Sequence, residues 1–224
     1  MYLSVVACDE NLYQEARAFF LQQWRSDLLV KDQISLIWAY LVTKYFRENW
    51  KPKFSFIEWV YSYEDLYFST SHTDNLLMIA VDDTQIAVDF EYMHPRDASL
   101  LNDVKLPHSK FSPWENFYIQ WTAKECLVKF LDLTSNEMRE MKVAKFDPHH
   151  HYSVWDWEFS LLVILSFRWS EYRVHTEVKN NRVMALLHHS SSTYNQNMKK
   201  LYSNQGDGYN WYSMERTGMF KPID

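Results

Sequence analysis

A chain of 224 residues makes either one large domain or two halves of about 110 residues each, and both are long enough to bury a substantial core. Its 47% hydrophobic and 23% charged residues match ordinary globular domains and exclude a mainly disordered chain. The formal net charge of −6 argues against a general nucleic-acid binder, so an anionic ligand would need a local basic pocket.

Residues 2–7 alternate loosely and predict a strand; lacking a charged leader and a long apolar stretch, this segment does not read as a signal peptide. Leu12, Ala16, Phe19, Phe20 and Trp24 recur at helical spacing over 10–24, and Ile34, Ile37, Trp38, Leu41, Val42 and Tyr45 form a stronger apolar stripe over 33–46. Pro52 ends that pattern. Residues 67–71, 76–81 and 85–91 predict three strands of one sheet, with a turn at Asp82-Asp83-Thr84. Pro95, Pro107 and Pro113 mark 94–113 as the candidate boundary, giving a first half over 1–108 and a second over 109–190. Helical periodicity returns over 117–131, and 161–167, 172–178 and 183–188 predict strands, with a turn at Lys179-Asn180-Asn181. Residues 191–224 form a polar tail interrupted by Tyr209, Trp211, Tyr212 and Phe220. The longest apolar run, Leu161 to Leu165, is far below the ~18 residues that a bilayer crossing needs, so no membrane is expected.

The 3 glycines, Gly206, Gly208 and Gly218, all fall in that tail. Phosphate loops of the Walker or Rossmann kind need glycine for close backbone approach, so a phosphate here must be held by side chains. An aromatic content of 17% predicts a core rich in rings. The two cysteines, Cys8 and Cys126, are too few for a disulfide framework, and a reducing cytoplasm fits best. His149, His150 and His151 cannot all face one metal from a regular element, and the neighbours His188 and His189 on a strand point to opposite faces.

Three clusters remain: Ser71-His72, Asp89-Phe90-Glu91, and the run from Trp121 to Lys129. Asp89 and Glu91, two apart on a strand, point to one side and can converge on a hard cation. Glu125 and Lys129, four apart on a helix, share a face and add a third carboxylate beside a cation. Magnesium takes one or two protein carboxylates and fills its other positions with water and phosphate oxygens, so the set suggests transfer of a phosphorus-linked group. Each cluster alone is usually a solvated strand edge or helix face; their joint order carries the reading. A Ser71-His72 nucleophile and base is disfavoured, because adjacent residues seldom form that geometry and no glycine-bounded elbow surrounds the serine.

Phe68-Ser69-Thr70-Ser71-His72, Ala87-Val88-Asp89-Phe90-Glu91 and Trp121 to Lys129 resemble, in order and spacing, the signature blocks F-x-x-S-H-S, G-V-D-I-E and W-x-x-K-E-A-x-x-K of the 4′-phosphopantetheinyl transferase superfamily. The likeness covers roughly residues 50–130. It implies an α+β fold, with two similar halves related by a pseudo-twofold axis and the cofactor site at their junction. It also implies coenzyme A as substrate, Mg2+ as cofactor, and a serine of an apo acyl or peptidyl carrier protein as acceptor, while the two-halved length favours a monomer. By the same resemblance Asp89, Glu91 and Glu125 hold magnesium, Glu125 takes the serine proton, and Lys129 stabilises the departing phosphate. Ser71 and His72 contact the cofactor phosphates, Lys124 belongs to the motif, and Lys31 and Lys44 are the candidate contacts for the 3′-phosphate. The chain departs from the family at Ala87, where glycine is usual; a positive φ there would strain alanine. Thr73 replaces the second serine of the first block, and Trp50-Lys51-Pro52 matches the family's Gly-Lys-Pro only in part. The alternatives are a diverged, non-catalytic coenzyme A or carrier-protein binder, and a magnesium phosphohydrolase.

Overall fold

The computed structural model describes residues 2–22, 32–49, 62–63, 66–82, 84–154 and 157–189. Trp24, Lys31, the Trp50-Lys51-Pro52 stretch, Asp83 and the 191–224 tail lie outside the described residues.

The fold is mixed α+β, with antiparallel sheets and few helices. Strand β1 (Tyr2–Ala7) pairs with β4 (Leu76–Asp82), which pairs with β3 (Leu66–Thr73), which pairs with β2 (Ser62–Tyr63). Helices α1 (Glu10–Gln22) and α2 (Gln33–Asn49) cover one face of this sheet. Ala16 and Phe20 of α1 and Leu36, Ile37 and Trp38 of α2 pack there on Phe68, Leu77, Ile79 and Val81. The alternate residues Leu76, Met78 and Ala80 face the other way, onto Ile86, Val88, Phe90, Met184 and Leu186 of a second sheet. Burial on both faces explains why β4 is apolar without alternation.

The second sheet runs β5 (Ile86–Tyr92), β11 (Arg182–His188), β10 (Ser170–Lys179), β9 (Leu161–Phe167), β6 (Lys142–Asp147). Its outer face, through Ala87, Val163, Leu165, Val174, Val183, Ala185 and Leu187, packs on α3 (Pro113–Leu131). The layers are therefore helices, sheet, sheet, helix. Ser112 caps α3 in a capping box with Glu115, and Pro113 opens its first turn, so the helix starts four residues before the 117 expected from periodicity. Asn180 and Asn181 both have positive φ, as a tight β10–β11 hairpin requires.

The expected single sheet over 67–91 is not formed. β3 and β4 pair, but β5 joins β11 in the second sheet. Its edge is open to β3, where side chains replace a backbone ladder. The backbone N–H groups of Val88, Phe90 and Tyr92 donate to the hydroxyls of Ser69, Ser71 and Thr73 at 3.0, 3.1 and 3.1 Å. The proline-rich stretch over 94–113 lies along α3: Gln120 accepts from Lys105 N–H, Tyr118 donates to His94 O, and Asn116 Nδ2 donates to the carbonyls of His108, Phe111 and Ser112.

A short hairpin of β7 (Tyr152–Val154) and β8 (Trp157–Phe159) adds Val154 and Phe159 to the core between the sheets. Beside it Tyr152 stacks on His175 at 3.9 Å between ring centroids, Tyr152 O–H lies 2.7 Å from His188 Nε2, and His150 Nε2 lies 2.8 Å from His175 Nδ1. Of the three adjacent histidines only His150 joins this stack. Burial, reinforced by His188, pushes the His175 imidazole down to about 2; burial likewise pushes His188 down to about 4, against the opposing pull of Asp82.

Both rings stay neutral in the folded chain, whereas the unfolded chain protonates them as pH falls through 6.5. Stability is thus complete above that value and declines toward the folded values, by up to about 1.4 kcal/mol per pH unit for each ring. The expected result is an unfolding midpoint, followed by circular dichroism, that drops between pH 7 and pH 5, and drops less in a His175→Phe variant.

Candidate functional site

The seam between β3 and β5 carries the sequence clusters. Ala87, Asp89 and Glu91 alternate onto the α3 side of β5, as period two requires, while Val88 and Phe90 enter the core between the sheets. Ala87 does not have positive φ; it is an ordinary strand residue, fully buried, and its carbonyl accepts from the Cys126 thiol at 3.2 Å. Alanine is unstrained there.

Asp89 is 4% exposed. Its Oδ1 accepts from Ser71 Oγ at 2.8 Å and from Lys129 Nζ at 2.7 Å. Its Oδ2 is buried and has no hydrogen-bond partner among the described residues. Lys129, in the last turn of α3, also donates to Thr70 O and Val88 O, each at 3.2 Å. An ammonium has three N–H donors, and these three acceptors occupy them all.

Glu91 and Glu125 are half-buried, from β5 and α3 respectively. Burial, the charge of Asp89 and that of Glu125 push the Glu91 carboxyl up, while Arg96 and Lys129 pull it down. Burial and Asp89 push Glu125 up, opposed by Lys129. The three acids therefore share one electrostatic neighbourhood. Among the described residues no three His, Cys, Asp or Glu side chains form a ready-made metal cage. Magnesium needs only one or two protein carboxylates, and a buried carboxylate oxygen without a donor, beside two acids pushed toward protonation, fits a small divalent ion.

The other expected residues separate. Ser71 belongs to the seam, but His72, next to it on β3, points to the opposite face and is exposed. Lys124 is half-buried on α3, and burial lowers its pKa; the charges it feels are Asp103 and Lys105, not the three acids. Lys44 donates to Glu15 at 3.2 Å and to Tyr40 O–H at 2.9 Å, and Tyr40 in turn donates to Glu15, a network that ties α2 to α1. Lys31 lies outside the described residues. Beyond Ser71, the sequence reading gave no role to Ser69, Thr73 or Arg96. The Ser69, Ser71, Thr73 row was legible as hydroxyls at period two; Arg96, 3.6 Å from Glu91, had no signal beyond its place after Pro95.

No family model matches the chain, and no curated protein matches it. Among the described residues no helix is long and apolar enough to cross a membrane.

Two stability predictions follow from the seam. Ser71→Ala strands the N–H of Phe90 and one bond to Asp89, and should cost about 1–3 kcal/mol in denaturant unfolding. Lys129→Met leaves a buried carboxylate without its cation and should cost near the lower end of about 3–5 kcal/mol, since the lysine side chain is 31% exposed. Adding Asp89→Asn to Lys129→Met should recover part of that loss, which a double-mutant cycle would measure.

Proposed function

We propose that this chain transfers the 4′-phosphopantetheine group from coenzyme A to a serine of an apo acyl or peptidyl carrier protein, with magnesium. The observation that supports the reading is the charge of Asp89 felt by both Glu91 on β5 and Glu125 on α3, with Asp89 Oδ2 buried and, among the described residues, unpartnered. The family blocks that supply these acids are far apart in the chain, and their electrostatic coupling supports the resemblance drawn from their order. Two antiparallel sheets packed face to face, each with helix on its outer face, suit the pseudo-twofold halves that the resemblance implies, with coenzyme A at their junction.

In this reading Asp89, Glu91 and Glu125 hold the ion. Bound magnesium would neutralise the pyrophosphate and the charge that grows on the leaving phosphate. The carrier serine Oγ bonds to the phosphorus on the pantetheine side. The bond from that phosphorus to the bridging oxygen breaks, and adenosine 3′,5′-bisphosphate departs with the electron pair. Glu125 takes the serine proton. Lys129 has its donors committed to Thr70, Val88 and Asp89, so its role here is to orient Asp89 rather than to follow the leaving phosphate.

One observation favours the second reading, a non-catalytic coenzyme A or carrier-protein binder. Lys44 and Lys129, two of the cations expected on phosphates, are both bonded within the protein. Loading of apo-carriers followed by mass spectrometry separates the cases. The transferase adds one phosphopantetheine to the carrier, and the gain disappears with EDTA and falls by about 10²–10³-fold in Asp89→Ala. Glu125→Gln should lower turnover by about 10²–10⁴-fold. Binding of coenzyme A without any mass gain across a carrier panel would overturn the transferase in favour of the binder; adenosine bisphosphate released without a modified carrier would point to a hydrolase.

A further inference from the structure

Beyond the residues of the family blocks, we propose that Arg96 is the pyrophosphate-binding residue of this site, released from Glu91 when a divalent ion enters. The inference rests on the reading above for its ligand, a phosphoanhydride. Lys129 and Arg96 are the two cations whose charge bears on Glu91. Lys129 has no donor left. Arg96 is different: its guanidinium stands 3.6 Å from Glu91 Oε2, beyond hydrogen-bond length, and among the described residues it makes no hydrogen bond.

The base of this side chain is nevertheless fixed. Tyr118 of α3, fully buried, donates its hydroxyl to His94 O at 2.9 Å, and the Arg96 guanidinium lies over the same ring at 5.4 Å. The ring contact holds the guanidinium at the rim of the acid cluster with its donors unspent. A planar fork of five N–H groups matches two oxygens of a phosphate. Without a metal, three carboxylates outweigh two cations and repel an anion. With a divalent ion the balance reverses, and Glu91 turns from partner of Arg96 to ligand of the metal. The same exchange frees the guanidinium where a metal-bound pyrophosphate presents its oxygens.

Titration calorimetry of the full chain with inorganic pyrophosphate and magnesium tests this, alongside magnesium alone. Arg96→Ala should weaken pyrophosphate binding at least tenfold and leave magnesium binding unchanged or tighter, because Glu91 loses a competing cation. Arg96→Lys should restore only part, since an ammonium cannot offer the bidentate fork. Lys110→Ala, an exposed cation over Phe111, should match the wild type and control for overall charge. Unfolding midpoints check that each variant folds. The proposal is overturned if Arg96→Ala binds pyrophosphate within twofold of the wild type, if its loss appears equally with magnesium alone, or if the wild type binds no pyrophosphate. A wild type that binds pyrophosphate through Arg96 yet loads no carrier would sink the transferase reading and leave this one standing.

Discussion

Among the described residues strand β5 pairs through its backbone with β11 alone, and its other edge would bury unpaired amides against β3 if nothing answered them. Ser69, Ser71 and Thr73 answer the N–H groups, because a hydroxyl oxygen accepts as a carbonyl does. Ser71 spends its O–H on Asp89, and two carbonyls of the same edges are met by an ammonium. Lys129 donates to Thr70 O on β3 and to Val88 O on β5, one carbonyl from each sheet. The seam is thus closed by side chains, acceptors for the amides and a donor for the carbonyls.

This closure has an electrostatic consequence. An ammonium drawn into the seam needs a counter-charge, and Asp89 supplies it at 2.7 Å. Ser71 and Lys129 both bond to Oδ1, which leaves Oδ2 buried without a donor. Such an oxygen costs free energy unless a cation or proton reaches it. Glu91 and Glu125 feel the same charge and are pushed toward protonation. The structural solution to an open strand edge and the proposed cation site share one carboxylate.

The parts of this arrangement that depend on local periodicity were legible from the sequence. Strand 161–167, the Asn180-Asn181 turn and the helical stretch over 117–131 follow from patterns within a dozen residues, and so does the shared face of Asp89 and Glu91. Placement of β5 was not legible. A strand buried on both faces reads the same whether it pairs with β4 or with β11, and the choice is fixed by residues almost a hundred positions later. Strands β6, β7 and β8 were missed because they are short or carry charged residues on an exposed side. The pairing of Lys44 was not legible for a similar reason: its partner Glu15 lies on another helix, and no pattern within α2 announces it.

Ala87 ties the helix to the strand and sets where Glu125 can stand. Its side chain faces α3 in a fully buried position beside Ala123, Cys126 and Leu127, and its carbonyl takes the Cys126 thiol hydrogen. A methyl is small enough for the helix to lie close on β5 there, so a departure from glycine costs the backbone nothing and adds a packing contact. Cys126 follows Glu125 directly, so the same close approach that buries the thiol holds the Glu125 carboxyl within the field of Asp89. The small residue two before Asp89 is therefore a requirement of helix height rather than of φ, and alanine meets it.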